Sequence, residues 1–449
     1  MQKQCKLKKA IIVYENIVRE YDNALLLKAE LEKRKYKVEL VFKDTEILFK
    51  QRDAIVILPN CYNTEDLKSY LYYLNANGDI FISLQYEQVL SERIEKTGMH
   101  NPKGLAKNIY HFCWGENNYR RLLKNGIDNK RLRICGAIQL DFLRHEFDEF
   151  YLNKQEIADR YGLNSQKDWL LYISSFSYVN NKVITKYTAK ELKDEKFVRE
   201  FSDISVQSQK ATLEWFEKLL INQPNLIIIY RKHPVEADNV LLNKMIEKYP
   251  KNFYDIHELS VKQWIKVCDI VTTWFSTSAA EIYMAQKSMY LIRPYHIKKE
   301  YDVPFYYNAE CIDTCEKLLA VVSQHNEKQE FPISENVIQE YYSITGRPAF
   351  KRVADAIDEI AEKNENRIYG PSCYVLRRWK FLFEHGRIFK YLIKTFYLFL
   401  YGKFGYKIKN ENFRKNYAVN QWEESTRNKQ DSLNRIKYNR MREIVNRYL

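Results

Sequence analysis

Asn225-Leu-Ile-Ile-Ile-Tyr-Arg-Lys-His-Pro234 is the stretch on which the fold turns. Leu226 to Tyr230 run apolar without alternation, as in a strand covered on both faces inside a parallel sheet. Pro234 then restricts His233 to extended geometry and ends the strand. Arg231 and His233 therefore stand at a carboxyl-terminal strand end, the edge where open α/β sheets hold their ligands. Arg231 brings a planar fork suited to phosphate, and His233 brings a hydrogen-bond donor.

The surrounding sequence repeats the rhythm. Downstream come a helix near 239–248, a strand at 253–256, a helix near 261–267, a strand over Asp269-Ile-Val-Thr-Thr273, a helix from Ser278 and a strand at 288–292. Upstream, a strand at Trp169–Ile173 precedes a charged insert that ends near Ser205. Alternating strands and amphipathic helices describe a Rossmann-like α/β unit. A similar series fills the first part of the chain, with strands at 10–14, 37–42, 54–58, 79–84, 110–114 and 131–135. A chain of 449 residues exceeds one ordinary core. The reading gives an N-terminal Rossmann-like domain over 1–165, a second Rossmann-like domain over 166–365 and a basic aromatic helical tail over 366–449, the two sheets facing a central cleft.

A second signal lies in Thr273-Trp-Phe-Ser-Thr-Ser-Ala-Ala-Glu281, where hydroxyls follow a strand and open a helix. Ser276, Thr277 or Ser278 serves as N-cap, and free amides at such a start suit a phosphate. Glu281, a turn further in, reaches a sugar hydroxyl or simply complements the helix dipole. With Arg231, His233 and Pro234, these residues compose a donor-phosphate clamp. In the first domain, Arg19-Glu-Tyr-Asp22 follows the first strand and Gln85-Tyr-Glu-Gln88 the fourth. Glu87, Asp22 and Glu20 are the carboxylates placed to take a proton from an acceptor hydroxyl. Glu20 and Asp22 also suit a helix N-terminus.

Arg231-Lys-His-Pro234, the Asp269–Thr273 strand with Ser276-Thr-Ser278, and Thr345-Gly-Arg-Pro-Ala-Phe-Lys-Arg352 resemble the nucleotide-binding half of GT-B transferases. The likeness spans roughly residues 9 to 360 and is to bacterial surface-carbohydrate and capsule enzymes, including CDP-glycerol glycerophosphotransferases and Kdo and sialic acid transferases. It implies that 1–165 is the acceptor domain and 166–365 the nucleotide-donor domain, in which the His-Pro pair and the hydroxyl turn grip a donor nucleotide. Arg19-Glu-Tyr-Asp22 resembles an Arg-Glu-x-Asp element of surface-carbohydrate proteins. Trp274-Phe-Ser-Thr-Ser stands where the glycerophosphotransferases carry Asp-Tyr-Ser-Ser, so the donor does not carry over.

Composition narrows the classes. A net charge of +14 points to an anionic partner. No Walker A loop, Gly-rich dinucleotide fingerprint, His-Glu-x-x-His or Gly-x-Ser-x-Gly occurs. No Asp-x-Asp pair occurs either, so no metal or other cofactor is expected, and the clamp itself must carry leaving-group charge. Eight scattered cysteines suit a reducing compartment; Cys311 and Cys315, four apart, would face one another on a helix but lack completing ligands. The run from Ala10 to Tyr14 is too short for a signal peptide, and no apolar stretch reaches spanning length. Between Arg377 and Lys403 the tail interleaves aromatic and basic residues, with Glu384 as its one acidic residue, and 374–409 is expected to lie on an anionic membrane surface at the cytoplasmic face. The alternative is a helix packed on the domains.

The leading expectation is a metal-independent glycosyltransferase moving a sugar from a nucleotide-activated donor to a surface-polysaccharide or lipid-linked acceptor, with no nucleic-acid partner. A CDP-glycerol-type polymer phosphate transferase, a sugar-nucleotide epimerase of the same architecture and a non-enzymatic basic membrane or nucleic-acid-binding protein are the alternatives.

Overall fold

The computed structural model describes residues 7–43, 52–179, 185–186, 188–190, 193–324, 330–430 and 432–447. Two compact units share the chain. The first draws on Met1–Gln88, His100–Ile138 and Tyr342–Leu449, the second on Val89–Met99 and Gln139–Tyr341.

In the first unit six parallel strands lie in the order β2-β1-β3-β4-β5-β6. They are β1 (Lys9–Tyr14), β2 (Lys37–Phe42), β3 (Ile55–Leu58), β4 (Ile80–Ser83), β5 (Tyr110–Cys113) and β6 (Leu132–Ile134). The second unit orders its parallel strands β12-β11-β10-β7-β8-β9. These are β7 (Asp168–Ile173), β8 (Leu226–Arg231), β9 (Phe253–Asp255), β10 (Ile270–Thr273), β11 (Met289–Ile292) and β12 (Cys311–Ile312). Central strands such as Ile55–Leu58 are buried along their whole length because helices cover both faces of each sheet.

The helices that matter here are α1 (Asp22–Lys33), α2 (Thr64–Tyr73), α3 (Glu195–Asn222), α4 (Val240–Lys248), α5 (Ala279–Met284), α6 (Ala349–Lys363), α7 (Tyr374–Glu384), α8 (Arg387–Phe404), α9 (Val419–Gln430) and α10 (Ser432–Arg447). The sequence reading ends a charged insert near Ser205, whereas α3 runs unbroken for 28 residues from Glu195. Its apolar positions Phe197, Phe201, Leu213, Phe216 and Leu220 are buried against the second sheet's core, so tertiary burial overrides the charged local composition. Cys311 and Cys315 share no helix: Cys311 lies in β12, and Thr314 caps the helix that Cys315 opens.

The C-terminal region is helical, and it contributes to the first unit's core. Tyr374 of α7 packs with Val56, Leu67 and Phe81, and its hydroxyl donates to the Leu71 carbonyl at 3.0 Å. Tyr397 of α8 and Trp422 of α9 close over Tyr14 and Phe42. Two short bonds join Ile368 to the start of β4, from Gly78 N to Ile368 O and from Ile368 N to Asp79 O, each 2.8 Å.

His111 is fully buried in β5, where Nε2 pairs with the Ala106 carbonyl at 2.9 Å and Nδ1 lies 3.5 Å from Gln85 Nε2. Burial pushes its pKa down from 6.5 to about 4. The neutral ring's contribution is complete above pH 6.5, where neither state takes up the proton. It is lost as pH falls toward 4, because the unfolded chain protonates first. Urea unfolding is expected to show about 2 to 3 kcal/mol of stability lost between pH 7 and 4.5 through this residue. His111→Gln should flatten that slope; equal slopes in the two proteins would remove the assignment.

Candidate functional site

In the second unit the chain winds from β7 outward through β8 and β9, then returns to build β10, β11 and β12 on the other side. The direction of winding therefore switches beside β7, and ligands of open α/β sheets lie at such a switch. The sequence signals after β8 and β10 consequently flank β7, two strand spacings or about 10 Å apart. Arg231 to Pro234, Ser174 and the hydroxyl turn thus follow three adjacent strand ends.

Arg231, at the end of β8, donates from Nη2 to the Leu259 carbonyl at 2.6 Å and from Nη1 to the Glu258 carbonyl at 3.1 Å. Leu259 sits at φ +64, a conformation that an L side chain adopts at a cost and that these bonds offset. All the acceptors are neutral carbonyls, so the guanidinium keeps its charge at the strand end. Lys232 instead pairs with Asp255 at 2.9 Å. His233 and Pro234 are exposed. His233 Nδ1 accepts from Val235 N at 3.4 Å, which assigns the ring proton to Nε2. Partial desolvation lowers the His233 pKa, so the ring is neutral at pH 7.

The His233 loop is fastened by a residue that sequence reasoning passed over. Glu236 accepts from Tyr230 Oη at 2.8 Å, Gln209 Nε2 at 2.9 Å, His233 N at 3.1 Å and the Ser174 hydroxyl. Burial raises its pKa against the pull of those donors. Four donors converging from β7, β8 and α3 leave no signature in local sequence; the carboxylate two residues beyond Pro234 was the available hint.

The hydroxyl turn is equally constrained. Thr273 Oγ1 donates to the Ile173 carbonyl at 2.9 Å and accepts from Ser276 N at 3.2 Å, while Ser276 Oγ accepts from Ser278 N at 3.2 Å. Tyr306 donates to the Ser276 carbonyl, and Arg293 Nε to that of Trp274 at 3.3 Å. Arg293 is itself held by both oxygens of buried Asp302. Ser278 is the N-cap residue of α5 but makes no side-chain capping bond, and Thr277 is exposed. Since α5 has six residues, its dipole is short, and hydroxyls and loop amides are the turn's main polar resources. Glu281 is half-buried, and burial raises its pKa.

In the first unit the winding switches between β1 and β3, and polar residues again gather at the strand ends. Glu15, directly after β1, accepts from Lys43 after β2 and Asn60 after β3. It too went unread in sequence, although its position after β1 mirrors that of the polar residues ending β8. Glu20 is 1% exposed and accepts from Glu15 N at 2.8 Å and Asn16 N at 3.1 Å, binding the turn after β1 together. Burial raises its pKa against those bonds. Asp22 opens α1 and accepts from Lys437 Nζ of α10. Glu87 keeps half of its side chain exposed while Arg19 Nη1 donates to it at 2.9 Å. His100 Nδ1 lies 3.8 Å from the same carboxylate, and burial holds the His100 pKa low although Glu87 pulls it up. Thus Arg19 links Glu20 and Glu87, while Asp22 belongs to a separate pair. Among the described residues no three His, Cys, Asp or Glu side chains come together as a metal site.

No family model and no curated protein matches the sequence. Solved structures do. A UDP-GlcNAc 2-epimerase from Neisseria meningitidis bound to UDP-GlcNAc is 10% identical, with 78% of this chain and 100% of that one covered and a TM-score of 0.51. The wall teichoic acid polymerase TagF is 11% identical over 80% of this chain and 90% of its own, with a TM-score of 0.49. MnaA of S. aureus with UDP is 13% identical over 78% and 96%, with a TM-score of 0.47. This chain has the GT-B fold. At these identities the likeness is one of fold alone.

Proposed function

We propose that the protein is a glycosyltransferase that moves a sugar from a nucleotide-activated donor to a surface-polysaccharide or lipid-linked acceptor without a metal ion. The reading is supported by the order of the strands: Arg231 and His233 follow β8 and the Ser276–Ser278 turn follows β10, the two strands that flank β7 at the second unit's winding switch. Arg231, His233 and loop amides of the turn stabilise the departing phosphate, and Pro234 fixes the His233 backbone. Glu281 contacts a sugar or ribose hydroxyl. Glu87 takes the acceptor proton, because it is the exposed member of the three carboxylates, with Glu20 and Asp22 shaping the segment that carries Arg19. The work is done on the cytoplasmic side.

A sugar-nucleotide epimerase is the second reading, since the same fold occurs in the Neisseria meningitidis epimerase. Screening CMP-, CDP-, UDP- and GDP-linked sugars by calorimetry in the presence of EDTA separates the cases. One donor class is expected to bind in the presence of chelator, with turnover only when acceptor is added. Consumption of a nucleotide sugar without acceptor assigns the epimerase, and binding abolished by EDTA removes metal independence.

A further inference from the structure

The apolar surface of α7 and α8 is turned the wrong way for water. Leu376, Trp379 and Phe383 stand on the outside of α7, with Leu376 at 74% and Phe383 at 78% exposure. Phe389, Leu392, Phe396 and Phe399 stand on the outside of α8. The spacings of three and four place each set on one helical stripe. The inward faces bury Tyr374, Leu382 and Tyr397, and with them two cations. Arg378 is buried and donates from Nε to the Tyr72 carbonyl at 2.8 Å, and buried Lys394 lies 5.6 Å over the Phe42 ring. Among the described residues, every Phe and Trp exposed beyond a third lies between Trp379 and Phe404. Scattered exposed apolar residues are ordinary, whereas a contiguous patch marks an interface.

Charge indicates what covers it. Arg377, Lys380, Lys390, Lys403, Lys407 and Lys409 accompany the aromatic stripe, while Glu384 is the sole acidic residue between Arg377 and Lys409. No described helix is long and apolar enough to cross a membrane. Amphipathic helices with aromatic residues on one face and basic residues around it lie in the plane of an anionic lipid interface. We propose that this outward face of α7 and α8 docks the protein on a bilayer bearing anionic headgroups.

The anchoring of the two helices gives the docking a consequence. Tyr397 on the inner side of α8 packs with Tyr14 and Phe42, the last residues of β1 and β2. Glu15 and Lys43 are the next residues along those strands. The lipid-facing element is thus built onto the carboxyl edge of the first sheet, which brings a lipid-linked acceptor to the edge that carries the candidate acid groups. That consequence rests on the transfer reading; the docking does not, and vesicle binding is measured without turnover.

Flotation with vesicles of equal parts phosphatidylglycerol and phosphatidylcholine tests the proposal on the full chain. The wild-type protein is expected to float with these vesicles, to bind pure phosphatidylcholine more weakly and to dissociate at high salt. The triple variant Phe383→Ser, Phe396→Ser, Phe399→Ser should lose partitioning by about tenfold or more with its unfolding temperature unchanged. Wild-type partitioning in that variant overturns the docking face. So does failure of the wild-type protein to bind either vesicle, or a wild-type dimer that the same variant converts to monomer.

Discussion

His233→Ala is expected to lower kcat/KM for sugar transfer by about a hundredfold to a thousandfold while leaving the unfolding transition in place. With Nδ1 accepting from Val235 N the ring donates from Nε2, so on the transfer reading the loss falls on the departing phosphate, and removing one preorganised donor to developing charge costs this much. The backbone bond from His233 N to Glu236 survives the change, so the loop keeps its course. His233→Gln, which retains a side-chain N–H, should restore part of the rate. Because the ring is neutral at pH 7, wild-type activity should not fall as pH rises from 7 to 8 on account of this residue. Steady-state transfer assays with calorimetric donor binding read all of this, and wild-type turnover in His233→Ala removes the clamp. Arg231 is the less selective probe, since it also holds the carbonyls of Glu258 and Leu259.

Glu87→Gln is expected to reduce kcat by about 10² to 10⁴ with donor affinity unchanged. The amide keeps the volume and can still accept from Arg19, but it does not take a proton. Loss confined to kcat identifies a group acting on the acceptor hydroxyl; an equal rise in KM with kcat intact assigns Glu87 to acceptor binding instead. In single-turnover experiments with saturating donor the defect should persist, because the proton transfer belongs to the chemical step.

Strand content was legible because buried parallel strands announce themselves as unbroken β-branched runs, and Leu226–Tyr230 or Ile55–Leu58 need no tertiary information. The strand-end signals were legible for the same reason, since Arg231 and the Thr273–Ser278 turn sit where apolar runs stop. Sheet order was not: nothing local says that β10 returns to the far side of β7, and that return is what brings Ser174 between the two signals. Glu236 and Glu15 escaped because a carboxylate's partners are defined by packing, here from β7, β8 and α3 in one case and β2 and β3 in the other. The C-terminal helices read as a separate basic aromatic tail because their partners lie far away in sequence. Asp22 meets Lys437, and Leu71 meets Tyr374, across hundreds of residues.

The same long separations govern how the chain is made. The first unit pauses at Ile138 and resumes at Tyr342, so its sheet must wait for α6 to α10 while the whole second unit is translated. At ordinary elongation rates that interval is roughly 10 to 40 s. Throughout it, the faces of α1 and α2 that later receive α6, α7 and α10 are open to wrong partners. The second unit, contiguous apart from one short segment already synthesised, can close first and shorten the effective loop between the two halves of the first. The half-built sheet of the first unit must therefore stay in solution until the C-terminal helices that complete its core have been made.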